Sequence, residues 1–117
     1  MRIRLVVEGV TLAATLEDTT AARDFASMLP LELTLEDYAA TEKVSDLAKR
    51  LTTDGAPAGV TPAIGDIAYY APWGNLALYY KAFRYSPGLV RLGKIEGSVD
   101  VLRRPGRLAA KIERIKE

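Results

Sequence analysis

The sequence predicts an all-β protein, a barrel of short strands capped by helix, and three observations lead there. Short β-prone runs recur along the chain with Gly- or Pro-containing turns between them, and only residues 21–29 carry convincing helical spacing. Residues 65–81, GDIAYYAPWGNLALYYK, gather four of the six tyrosines and the only tryptophan into two apolar runs joined by Ala71-Pro72-Trp73-Gly74-Asn75, which reads as a hairpin. A chain of 117 residues is expected to form one domain with a core of useful size.

Residues 3–7 and 11–16 are short β-prone runs around Glu8-Gly9-Val10, a connection of hairpin length. Asp18-Thr19-Thr20 then supplies capping side chains ahead of residues 21–29, where Ala22, Phe25, Ala26 and Leu29 recur at helical spacing and Pro30 stops the helix. The Asp24 carboxylate is expected to complement the positive end of that helix. Residues 31–37 alternate, which turns Leu31, Leu33 and Leu35 inward on a strand that should pair with the amino-terminal hairpin. Residues 38–61 are polar and contain Gly and Pro, so they read as a long irregular segment with one helical turn around residues 44–47.

Residues 62–71 and 76–83 form the central hairpin. Ile67 and Tyr69 share one face of its first strand while Asp66, Ala68 and Tyr70 share the other; in the second, Leu76, Leu78 and Tyr80 oppose Ala77, Tyr79 and Lys81. Apolar or aromatic groups on both faces place these strands centrally. After the turn at Tyr85-Ser86-Pro87-Gly88 comes a strand over residues 89–95, then a short helical turn at 98–102 and a second turn at Arg104-Pro105-Gly106. Residues 108–115 have helix propensity, yet Leu108, Ala110 and Ile112 also alternate; their position at the end of a β-rich chain favours the last strand of a barrel.

Composition excludes much chemistry. With no cysteine and no histidine, disulfides, thiolate nucleophiles, Ser-His-Asp and Cys-His arrangements and the usual zinc sites are absent. Acid–base work would fall to carboxylates, tyrosine or lysine with displaced pKa values. A net charge of +1 provides no field for nucleic acid or an anionic membrane, although Arg91, Lys94, Arg103, Arg104, Arg107, Lys111, Arg114 and Lys116 crowd the last quarter. The early residues turn charged again before an export signal develops, and no apolar run approaches the roughly 20 residues of a membrane span, so a cytoplasmic protein is expected.

The candidate site is the aromatic hairpin. Tyr69, Tyr70, Trp73, Asn75, Tyr79 and Tyr80 can line a cleft in which rings stack on a guest and the Asn75 amide both donates and accepts; the competing reading has half of them filling the core and Gly74 serving the turn. Trp73 is the member expected at the surface. Arg23 and Arg84 each offer a planar fork of donors for a carboxylate or phosphate, or a tie to a neighbouring acid such as Asp24, Glu42 or Asp46. Glu42 and Asp46 would form a carboxylate pair only on a helix, and solvation or capping is the alternative for them as for Asp18, Glu36 and Asp37. No Gly-rich phosphate loop or metal-ligand cluster appears.

Three stretches, TTAARDFASMLPLELTLEDYAATEKVSDL, GDIAYYAPWGNLALYYKAF and SPGLVRLGKI, resemble in order the cyclophilin-like fold family of small bacterial proteins of uncharacterised function. The resemblance implies a closed antiparallel barrel of about eight strands with a helix capping one end. True cyclophilins are peptidyl-prolyl isomerases whose catalytic strand carries an arginine in a phenylalanine, glutamine and paired-glycine motif, with histidine and tryptophan nearby; this chain has no counterpart of the motif. The expectation is a binding module without isomerase activity, in which Arg23, Tyr70, Trp73, Asn75 and Tyr79 hold a small molecule or short peptide. No catalytic residue, metal ligand or cofactor is assigned. The enzymatic alternative is a divergent prolyl isomerase or small hydrolase using Arg23 and a carboxylate, and a third reading is a homodimer formed through a barrel edge or the Trp73 patch.

Overall fold

Eight strands close into an antiparallel barrel, and the computed structural model describes residues 1–115 of it, which leaves Lys116 outside the described residues. The elements run β1 (Arg2–Val7), β2 (Val10–Leu16), α1 (Thr20–Ala26), β3 (Leu31–Tyr38), β4 (Glu42–Asp46), β5 (Gly59–Val60), β6 (Asp66–Tyr70), β7 (Asn75–Tyr79), β8 (Ser86–Pro87), β9 (Leu89–Ile95), a 3-10 turn (Asp100–Arg103) and β10 (Leu108–Arg114). Around the barrel the order is β1-β10-β3-β4-β7-β6-β9-β2, while β5 and β8 pair as a small ribbon outside it.

Period-two alternation builds the core. Ile3, Leu5 and Val7 of β1, Leu35 of β3, Ile67 and Tyr69 of β6, Leu76 and Leu78 of β7 and Ile112 of β10 turn inward and lose almost all contact with solvent. Helix α1 adds Ala21, Ala22 and Phe25 to the same core, with Thr19 as its cap, its hydroxyl accepting from the Ala22 N–H at 3.2 Å.

Several expectations are corrected here. Strand β3 pairs with β10 and β4, because β10 inserts between it and the amino-terminal hairpin. The helix ends at Ala26, short of residue 29. Asp24 serves the loop after β4 instead of the helix dipole: its carboxylate accepts from Lys49 Nζ and from the Thr52 N–H, both at 2.8 Å, which holds it below the usual aspartate range, the Lys49 hydrogen bond being the main cause. The segment read as irregular with a helical turn contains β4, so Glu42 and Asp46 lie about 13 Å apart along one strand and form no pair.

Strand β4 is held by a buried polar network. Lys43 faces the barrel interior, and its ammonium uses its three donors on Asp37 Oδ2 at 2.9 Å, the Arg104 carbonyl at 2.6 Å and the Gly106 carbonyl at 3.0 Å. Asp37 also accepts from the Tyr80 hydroxyl at 2.7 Å. The Lys43 hydrogen bond, helped by Tyr80, holds Asp37 below its ordinary pKa, whereas burial and the neighbouring Asp37 push Tyr80 up to about 12.

Candidate functional site

The outer face of β4, β6 and β7 carries the second set of alternating residues, and it is covered in part. Ala68, Ala77, Tyr79 and Leu89 pack there with Val44, Val60, Tyr70 and Phe83 into a small apolar cluster separate from the barrel core. The β5–β8 ribbon and the loop that precedes β8 lie over one side of this cluster and leave a groove of about 350 Å³ on the other. Apolar groups on both faces of β7 are thereby explained.

The hairpin turn sets the groove's upper corner. Tyr70 accepts from the N–H groups of Trp73 and Gly74, Gly74 takes the left-handed conformation at φ 69°, and Arg50 donates to the Ala71 carbonyl at 2.8 Å. Trp73 is thrown outward and remains 54% exposed. Its ring meets those of Tyr38 and Tyr70 edge-on, each at 5.2 Å between centroids, so three aromatic rings form one corner. Gly88 closes the side: at φ 80°, with Pro72 Cδ 2.8 Å from where a Cβ would sit, this position admits only glycine without displacement.

The floor is polar. Glu42 is 7% exposed on β4, directly across the ladder from Tyr79, and its carboxylate accepts from the Thr41 hydroxyl at 3.2 Å. Burial dominates and raises Glu42 above the usual glutamate range. The same burial, with the Glu42 charge, pushes the Tyr79 phenol far above its ordinary value, so it stays a neutral donor. Beside them Asn75 is 5% exposed and its Oδ1 has no hydrogen-bond partner among the described residues. An amide oxygen buried without a donor costs about 1–3 kcal/mol, which a guest supplying a donor would recover. Arg84 stands on the wall with its guanidinium 4.5 Å above the Phe83 ring.

Of the residues singled out in the sequence, Glu42, Tyr70, Trp73, Asn75, Tyr79 and Arg84 converge on this groove. Arg23 does not: it lies midway along α1, lines a separate depression and forms an ion pair with Asp18 at the surface. Tyr69 and Tyr80 belong to the barrel core, with the Tyr69 hydroxyl accepting from the Leu51 N–H at 3.2 Å. Glu42 was legible only as one acid among several, and Tyr38, Phe83 and Tyr85 carried no signal until the β3–β4 turn and the loop before β8 brought them to the hairpin. Among the described residues no cluster of acids is placed to hold a metal ion, and no helix is long and apolar enough to cross a membrane.

No curated protein matches the chain. Among solved structures it is similar to a hypothetical protein of Archaeoglobus fulgidus determined in solution, with a TM-score of 0.69 at 20% identity over 98% of this chain and 95% of that one. That neighbour is archaeal, so this barrel is not confined to bacteria, and at such identity the likeness concerns the fold. The model of the Cyclophilin-like family matches residues 5–113, and the chain belongs to that family.

Proposed function

We propose that the chain is a binding module whose outer groove, between Trp73 and the β5–β8 ribbon, holds a small molecule or a short peptide. One observation carries this: Asn75, whose buried amide oxygen has no partner among the described residues, lines a groove rimmed by an exposed tryptophan. Structural needs account for neither feature, since a packed surface would satisfy the amide and cover the ring. Tyr70 and Tyr79 contribute rigid contact area, while Arg23 has no part in the site.

Trp73 is the only tryptophan, so its fluorescence reports on the groove alone. A broad screen of metabolites and short peptides should yield ligands that shift its emission and raise the melting temperature together, and Trp73→Ala should abolish the binding with little loss of stability. A screen without any such ligand would remove the proposal. A protease-coupled proline-peptide assay at high protein concentration should give only the uncatalysed rate, since the chain has no counterpart of the arginine motif of true cyclophilins; measurable acceleration would instead favour the isomerase reading.

A further inference from the structure

The floor of the groove says what kind of guest it suits. That floor carries two acceptors: Asn75 Oδ1, which has no partner among the described residues, and the Glu42 carboxylate, which accepts only from Thr41 in the same set. Above them Tyr38, Tyr70 and Trp73 make a corner of rings, and ring faces attract positive charge. The Asn75 amide nitrogen is a donor on the same floor, so the charge preference rests on the Glu42 carboxylate and the ring faces, neither of which favours an anion. Among the described residues the one cation on the wall, Arg84, is already seated over Phe83.

Resting on the binding role above, we propose that the groove recognises an organic cation bearing N–H donors, an ammonium or guanidinium head that donates to Glu42 and Asn75 while its body lies against Trp73. A charge-assisted hydrogen bond to a buried carboxylate and a cation over an aromatic face are both strongest when water is excluded, and Glu42 and Asn75 are each nearly inaccessible. The head can be a free amine or a peptide side chain, as both present the same donors.

Benzamidine, benzamide and benzoate share a ring and a shape but carry positive, zero and negative charge, and they serve as probes. Titrated against the intact protein, benzamidine should shift Trp73 emission and the Asn75 side-chain amide resonances at concentrations about tenfold lower than benzamide, with benzoate weaker still. Glu42→Gln should erase that preference while keeping a cooperative melt. A blocked Gly-Arg-Gly tripeptide extends the comparison: binding stronger than benzamidine assigns the head to a peptide, weaker binding assigns it to a free amine, and either supports the cation. If benzamide or benzoate binds as well as benzamidine, or if the preference survives in Glu42→Gln, the cation is overturned and the groove remains a binding site. If neither these probes nor the wider screen touches Trp73, both ideas fall.

Discussion

Two adjacent residues of β4 face opposite ways and have opposite energetic consequences. Lys43 points into the barrel with all three donors used, so removing it strands the carbonyls of Arg104 and Gly106 and part of the Asp37 charge. Lys43→Met should therefore lower stability by about 3 kcal/mol in urea unfolding at neutral pH. Asp37 is held below its unfolded pKa, so its contribution is present above that value and fades as pH falls through the lower folded one; the Lys43→Met deficit should shrink in the same acid range. Glu42 has the opposite sign. Its folded pKa is raised, so its contribution is most favourable when both states are protonated and is lost as pH rises through the folded value. Glu42→Gln should then stabilise the protein by about 1 kcal/mol at neutral pH, with the gain vanishing at about pH 4. A gain in stability coupled to a loss of cation affinity is the signature of a residue retained for binding; a Glu42→Gln protein less stable at neutral pH would make Glu42 a structural residue instead.

The hairpin of β3 and β4 shows why part of the site could not be read from the sequence. Its turn is Ala39-Ala40, both in the left-handed region at φ 56° and 54°, where Asn-Gly is the usual choice, so the segment carried no turn signal. The strand that follows, Glu42-Lys43-Val44-Ser45-Asp46, hides its alternation because the inward position holds a paired lysine and the outward one a groove acid. By contrast β6, β7, β9 and β10 were legible, since their apolar alternation follows the pleat and their turns contain glycine. Trp73, Tyr70, Asn75 and Tyr79 came with them, whereas Tyr38 and Glu42 depended on the unseen hairpin. Arg23 lines a different depression, which no sequence pattern shows, because a sequence gives the donors of an arginine and not the end of the barrel on which they sit. Each alanine in the left-handed region costs about 1 kcal/mol. Replacing Ala39-Ala40 by Asn-Gly should raise the urea midpoint by an amount worth about 1 kcal/mol, after the added glycine entropy, with an unchanged slope. Because Ala39 borders the groove, the same change tests whether the strained turn is needed to place Tyr38: if it is, ligand-induced Trp73 shifts weaken as stability grows.

At the level of the molecule, the strand order makes the last element the one that closes the barrel. Strand β10 pairs with β1 through five residue pairs and with β3 through five, and it alone joins the amino-terminal hairpin to the sheet that carries the groove on that side. The opposite seam, β2 to β9, is only three pairs long, at Ala14, Thr15 and Leu16, so it cannot hold the cylinder by itself. Leu108 and Ile112 of β10 are buried, and their burial is worth about 2–3 kcal/mol each, a large share of the roughly 5–15 kcal/mol that separates a small domain from its unfolded chain. Two variants separate closure from packing. Ile112→Ala leaves the ladder intact and should lower the unfolding free energy by about 3 kcal/mol with an unchanged denaturant slope, because the same surface is still exposed on unfolding. Deleting residues 108–117 removes both ladders and leaves the facing edges of β1 and β3 unpaired, so it should abolish the cooperative melt and produce concentration-dependent association rather than a merely weaker barrel. A truncated chain that still melts in one sharp transition, with the Trp73 emission of the full protein, would show that the groove-bearing sheet stands without closure. Since Glu42, Asn75 and Tyr79 lie on strands joined to β10 through β3, the expected result is that the groove disappears together with the barrel.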